Sequence, residues 1–261
     1  MIGLFSPYHY FPLKKCTFML ARASGLHFTK ITFTQKDQKT MRKLTILSTI
    51  LLLTSTLLYA QKNISEGTII YSVAWQLPDE IQEMAKDFPS EIKVYFKGDS
   101  SSTKTESSMY SSNSILHPPS NFEQILIDVP LIGKKYSVIF TPEDQKKMAD
   151  NMPQLELKPT SETKTLAGYR VHQYTGIEKR SGRNFDAWFT KDIQVTPNAL
   201  SRFYEKSYGF PIEFTAFLNG LSLKAAVKEI KTGLVPQGSF SSSKDYEPIS
   251  LDQLIQMSGS H

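Results

Sequence analysis

Chemistry in this 261-residue chain would have to come from few side chains. Beyond residue 60 the histidines are His117, His172 and His261, none paired at helical spacing, and the single cysteine of the chain is Cys16. Zinc sites read from sequence need two such ligands close together, so no local donor set for a metal is in view. No nucleophile elbow, Walker loop or dinucleotide glycine cluster occurs, and the glycines are thinly spread. The one grouping of reactive types is His172, which shares a strand face with Arg170 and Tyr174 and is followed by Asp186 on the next strand. A solvated sheet face accounts for it at least as well, since a single pair is not an active site. Glu213 reads either as an acid near a ligand or, better, as a solvent-facing strand residue. The expectation is a chain that is not an enzyme, with no catalytic residue, metal or cofactor.

The elements that would position these side chains are mostly strands. Gly67 to Trp75 alternates with Ile69, Tyr71, Val73 and Trp75 on one face, and Ile92, Val94 and Phe96 do the same after Glu91. Leu77 to Phe88 carries Ile81, Met84, Ala85 and Phe88 at helical spacing, which predicts a short amphipathic helix. The Ser/Thr-rich run 100–112 reads as a loop or a wet strand. Asn121 to Val129 and Lys134 to Phe140 form a hairpin through Pro130 to Gly133. Thr141-Pro142-Glu143-Asp144 combines a cap residue, a first-turn proline and two acids, and so starts a helix running to about Asn151. Leu155 to Lys158, Thr163 to Thr165, Tyr169 to Glu178 and Asn184 to Thr190 follow as strands. The tip Lys179-Arg180-Ser181-Gly182-Arg183 is either a binding patch or a solvated turn, the second being commoner for charged tips. Pro197 to Tyr204 suggests one or two helical turns. Ile212 to Phe217 and Leu221 to Lys231 flank Asn219-Gly220, a strong hairpin signal, and Ser250 opens a last helix reaching Met257.

Charge is distributed unevenly. Residues 1–60 hold eight Lys and Arg (Lys14, Lys15, Arg22, Lys30, Lys36, Lys39, Arg42, Lys43) and one acid, Asp37, which leaves 22 basic against 24 acidic residues in 61–261. The bulk of the chain is therefore near −2 although the whole is +5. Nucleic acid is excluded as an expected partner, because polyphosphate binding needs a concentrated cationic surplus. From Met41, two cations precede an apolar run from Leu44 to Leu58 that ends at Ala60, the layout of a secretory signal peptide. The run is shorter than the roughly twenty residues a spanning helix takes, so cleavage is favoured over an uncleaved anchor and no permanent membrane span is expected. Met41 reads as the true start and 1–40 as a disordered upstream extension, the alternative being a genuine long leader. Residues 61–261 form the single β-rich domain. With no cysteine after the apolar run to take a lipid anchor, the expected location is the periplasm or the exterior, without lipid attachment.

Several short segments carry a likeness. Glu162 to Tyr174 with its Gly168-Tyr169, and Tyr208-Gly209-Phe210-Pro211 running on to Phe214, join the Tyr95-Phe96-Lys97-Gly98, Gly133-Lys134-Lys135-Tyr136 and Asp245-Tyr246 segments. Together they resemble the exported bacterial proteins of domain-of-unknown-function family 4412. That family often has a cysteine where Val171 stands, so no thiol-based role carries over. The resemblance implies a fold similar to the periplasmic lipoprotein carriers, an antiparallel sheet over helices enclosing an apolar cavity; fold likeness alone does not give function.

The expected fold class is α+β, predominantly antiparallel β: a curved sheet or half-barrel packed on a few short helices. Gly168 and Gly209 read as turn glycines, and Pro211 marks a strand start or an edge. Aromatic and flexible apolar residues lie on or beside the strands, among them Met84, Phe122 and Phe217. Of these, Tyr71, Trp75, Phe96, Tyr136, Phe140, Phe189 and Phe214 are the candidate lining of a ligand cavity, although a filled core needs the same residue types. Two function classes stay open: a non-catalytic domain that binds or carries a hydrophobic small molecule or lipid, and an interaction or structural protein of the cell envelope with a filled core.

Overall fold

The alternation that marks Gly67 to Trp75 becomes a strand because Ile69, Tyr71 and Val73 all point to one buried face while Ser72 and Ala74 face water. The computed structural model describes residues 62–218 and 221–258. The expected upstream extension and signal peptide, Cys16, the Asn219-Gly220 tip and His261 lie outside the described residues. Ala60–His261 is one compact unit. Its elements, in order, are β1 (Lys62–Asn63), β2 (Glu66–Gln76), β3 (Glu91–Lys97), β4 (Ser100–Glu106), β5 (Ser111–His117), β6 (Phe122–Val129), β7 (Lys134–Ile139), α1 (Pro142–Asn151), β8 (Leu155–Leu166), β9 (Tyr169–Glu178), β10 (Arg183–Thr190), β11 (Ile193–Gln194), β12 (Phe210–Leu218), β13 (Leu221–Thr232), β14 (Glu247–Pro248) and α2 (Leu251–Ser258).

Twelve strands make one sheet in the order β14-β7-β6-β5-β4-β3-β2-β13-β12-β10-β9-β8, antiparallel throughout except for the short β14–β7 pairing. β1 and β11 form a separate parallel pair. The fold is thus predominantly antiparallel β with few short helices. Closure does not occur: β14 and β8 are edges that do not pair with each other, so the sheet is open rather than a barrel. Residues 140–154 join β7 to β8, ten positions apart in the order. A flat sheet would separate them by about 48 Å, whereas a segment with a ten-residue helix reaches at most about 38 Å. The sheet is therefore not flat, and the two strands lie closer than a flat sheet would hold them.

The core sits where β2, β3, β9, β10, β12 and β13 meet the segment after β11. Phe214 makes edge contacts with Tyr71 at 5.8 Å and Tyr204 at 5.5 Å, and Phe189 lies 5.3 Å from Tyr204. Gly209 is required by backbone: its φ is 104°, and a Cβ there would lie 2.3 Å from the Thr190 carbonyl oxygen. Gly209→Ala is expected to lower Tm by roughly 4–12 °C in a melting experiment, at about 2–3 kcal/mol for a clash in a left-handed position; an unchanged Tm would contradict the close approach. Gly168, at φ 82°, turns β8 into β9.

Several elements differ from the sequence expectation. Ser100 to Ser112 is neither loop nor one wet strand: β4 and the first two residues of β5 lie there, with Ser101, Ser102, Thr103 and Thr105 all buried. The amphipathic segment after Leu77 is a 3₁₀ run, Asp79–Asp87, with no side-chain cap and no buried residue, as expected where nothing packs on it to favour the α-form. Leu155 to Leu166 is one strand, whose register shifts between Pro159 and Thr163. A proline is tolerated there because β8 is an edge and the irregularity removes the ladder bond it cannot donate. Pro211 lies near the start of β12, inside the sheet beside the β10 irregularity. Pro197 to Tyr204 holds a single helical turn, with the Arg202 amide donating to the Asn198 carbonyl at 2.9 Å, rather than a longer helix. The Asn198 side-chain oxygen accepts from the Leu200 and Ser201 amides, and the Ser201 hydroxyl accepts from the Asn198 amide.

Candidate functional site

β4 runs beside β3 with Val94 opposite Thr103 and Ile92 opposite Thr105, so the buried face continues from aliphatic side chains into small hydroxylated ones. The same row goes on through Ser114 on β5, Ile125 on β6 and Val138 on β7. The 197–204 segment docks on these hydroxyls: Ser101 Oγ donates to the Pro197 carbonyl at 2.9 Å, and the Ala199 amide donates to Thr103 Oγ1 at 3.3 Å. α1 crosses above. Its Thr141 cap is a full capping box, with the Asp144 amide on Thr141 Oγ1 and the Thr141 amide on the Asp144 carboxylate.

Small side chains below and a helix above leave a hollow of about 380 Å³. Its floor is Thr103, Thr105, Ser112 and Ser114, and its apolar walls include Ile125, Phe140, Met148, Met152, Phe203 and Phe217. Phe203 and Phe217 meet edge to face at 6.0 Å. α1 buries none of its residues fully, Met148 included. Met148 is only partly buried: it packs on the small cluster of Val138, Phe140 and Leu251 and also borders the hollow.

Charges sit around this apolar space. Arg202 pairs with Glu123 at 2.7 Å, both largely shielded. Glu178, only 6% exposed, accepts from the Gln154, Arg180 and Ser181 amides and from the Ser181 hydroxyl at 2.7–3.1 Å. Burial alone would raise its pKa; the four donors outweigh burial and hold it at about 2. Because the folded value is depressed, this carboxylate stabilises the fold above the ordinary range near 4.5 and loses that contribution as pH falls from there towards 2. Glu178→Gln is therefore expected to lower Tm by roughly 4–8 °C at pH 7, for about 2 kcal/mol of charge-assisted hydrogen bonding. The gap from the parent should close in melts near pH 2; a gap independent of pH would contradict the assignment. Arg180 donates to the Asp150 carbonyl at the C-terminal turn of α1, where a cation is favoured by the exposed carbonyls.

Only Phe140 of the seven residues singled out in sequence lines this hollow. Tyr71, Phe96, Phe189 and Phe214 are at most 2% exposed and stand in the filled core, because large rings fill the space they border. Trp75 is half-buried with its indole donating to the Pro89 carbonyl at 2.8 Å, and Tyr136 is half-buried on β7. The grouping around His172 is not assembled: the register sets His172 opposite Phe189 and Asp186 opposite Thr175. Asp186 and Glu213 instead border a shallow basin of about 860 Å³ on the sheet. There Lys164 lies 3.9 Å over the Trp188 ring and 3.7 Å from Glu213. Its acids and lysines interleave without converging on a point. Sequence reading missed Phe203, Met148, Met152 and Arg202; the available signal was the Ser/Thr run beside apolar strands.

Among the described residues no cluster of three or more His, Cys, Asp or Glu could hold a metal ion, and no helix is long and apolar enough to cross a membrane. Fold and hollow define a class: an open antiparallel sheet with a helix-covered apolar recess. Compared with protein-family models and with curated proteins, the chain finds no match in either.

Proposed function

We propose that the part of the chain beyond residue 60 is an exported, non-catalytic domain that binds the apolar chain of a lipid or similar small molecule in the hollow beneath α1. The observation that carries this reading is the hollow itself, with apolar walls that include Phe140, Met148, Phe203 and Phe217 over a floor of serines and threonines. A volume near 380 Å³ falls at the small end of the range of roughly 300–1,000 Å³ for small-molecule sites. It suits about ten methylenes, whose burial gains about 8 kcal/mol. Association takes back about 4 kcal/mol or more, which leaves a Kd near millimolar for the chain alone. Export is supported by the signal-like run from Met41 to Ala60 and by the likeness to family 4412, which also favours the periplasm or exterior.

Native mass spectrometry of the protein purified from its own cell envelope tests the reading. The expected result is a population carrying one small hydrophobic adduct that organic extraction removes, with a lower Tm afterwards. A cell-envelope interaction protein is the second reading, favoured by Leu131 and Ile132, which are 87% and 60% exposed at the β6–β7 tip. A ligand-free chain with a reproducible protein partner would support it instead.

A further inference from the structure

We propose that the hollow selects an amphiphile with a single anionic head, received by Arg180; this rests on the reading of the hollow as a binding site. Four charged side chains border the space: Glu123, Glu178, Arg180 and Arg202. Three have their charge answered within the fold. Glu123 and Arg202 neutralise each other at 2.7 Å. Both oxygens of Glu178 are taken by four donors, three of the hairpin turn and the Gln154 amide, which uses up the acceptor capacity of a carboxylate. Among the described residues Arg180 has no carboxylate partner. Its guanidinium gives one nitrogen to a carbonyl of α1 and keeps further N–H donors in a planar fork suited to carboxylate or phosphate. It is exposed, so a head group there stays hydrated while the chain enters between Met148, Phe203 and Phe217.

The head contact also supplies what the chain lacks, since apolar burial in a recess this small leaves binding weak. A neutral head gains only the weaker hydrogen bonds to an uncharged acceptor, and a cationic head is repelled by a guanidinium.

Isothermal titration with decanoate, decyl maltoside and decyltrimethylammonium, each below its micelle threshold at pH 8, tests this. Decanoate is expected to bind at least tenfold more tightly than the maltoside, and the cation more weakly than either. Arg180→Gln should remove the tenfold preference while leaving the maltoside affinity within about twofold, and Arg180→Lys should keep part of it. Melting curves of both variants report whether the fold is intact. Equal affinities of decanoate and maltoside for the parent, or an anion preference that survives Arg180→Gln in a folded chain, overturn the head-group assignment while the hollow still binds. No binding of any of the three overturns the hollow itself.

Discussion

Phe214→Ala is expected to lower the unfolding free energy by about 3–5 kcal/mol, or Tm by roughly 6–20 °C. The ring is 2% exposed, stands edge-on to Tyr71 and Tyr204, and is flanked across the β12–β13 ladder by Ala225. None of these neighbours can move into the vacated space, because each is fixed in the sheet or held through a polar tip: the Tyr204 hydroxyl donates to the Thr215 carbonyl at 2.6 Å, and the Tyr71 hydroxyl accepts from Asn198 at 3.4 Å. A cavity then persists, and its cost adds to the lost transfer energy. Thermal or denaturant unfolding checks it; a loss under about 1 kcal/mol would mean that this region is loosely filled.

Ser114→Phe is expected to do the reverse. Ser114 faces the hollow from β5, opposite Thr103 and Ile125. A phenyl ring there enters empty apolar space, so Tm should hold or rise while affinity for a decyl chain falls more than tenfold. Ala216→Phe provides the contrast. Ala216 is fully buried opposite Leu223 in the filled core, where added volume costs about 1–3 kcal/mol or more. Melting and titration of the two variants together separate a recess from a core. If Ser114→Phe destabilises as Ala216→Phe does, the space under α1 is not free.

Much of the sheet is legible in sequence. β2, β3, β9, β10, β12 and β13 each bury an alternating apolar set against a common core, and hydrophobic periodicity reports that burial directly. The α1 cap is equally readable, since Thr141 to Asp144 places cap acceptor, proline and acid where a helix start uses them. β4 and β5 are not, because Ser101 and Thr103 are buried by docking under the 197–204 segment rather than by their own hydrophobicity. Pro159 splits β8 in sequence but not in space, since an irregular edge strand does without its amide. The site was hidden for a related reason. A search for cavity linings by large aromatic residues finds Tyr71, Phe96, Phe189 and Phe214, and those residues close space. The recess exists where side chains are small, and its walls come from β6, the residue after β7, α1, the end of β12 and a loop, which sequence distance keeps apart.

The most direct test is a crystal of the protein grown with ω-bromodecanoate and measured at the bromine edge. The expected anomalous peak lies beneath α1 among Phe140, Met148, Phe203 and Phe217, with the carboxylate towards Arg180. Bromine found elsewhere, or ordered water filling the space with no bromine, would contradict the account.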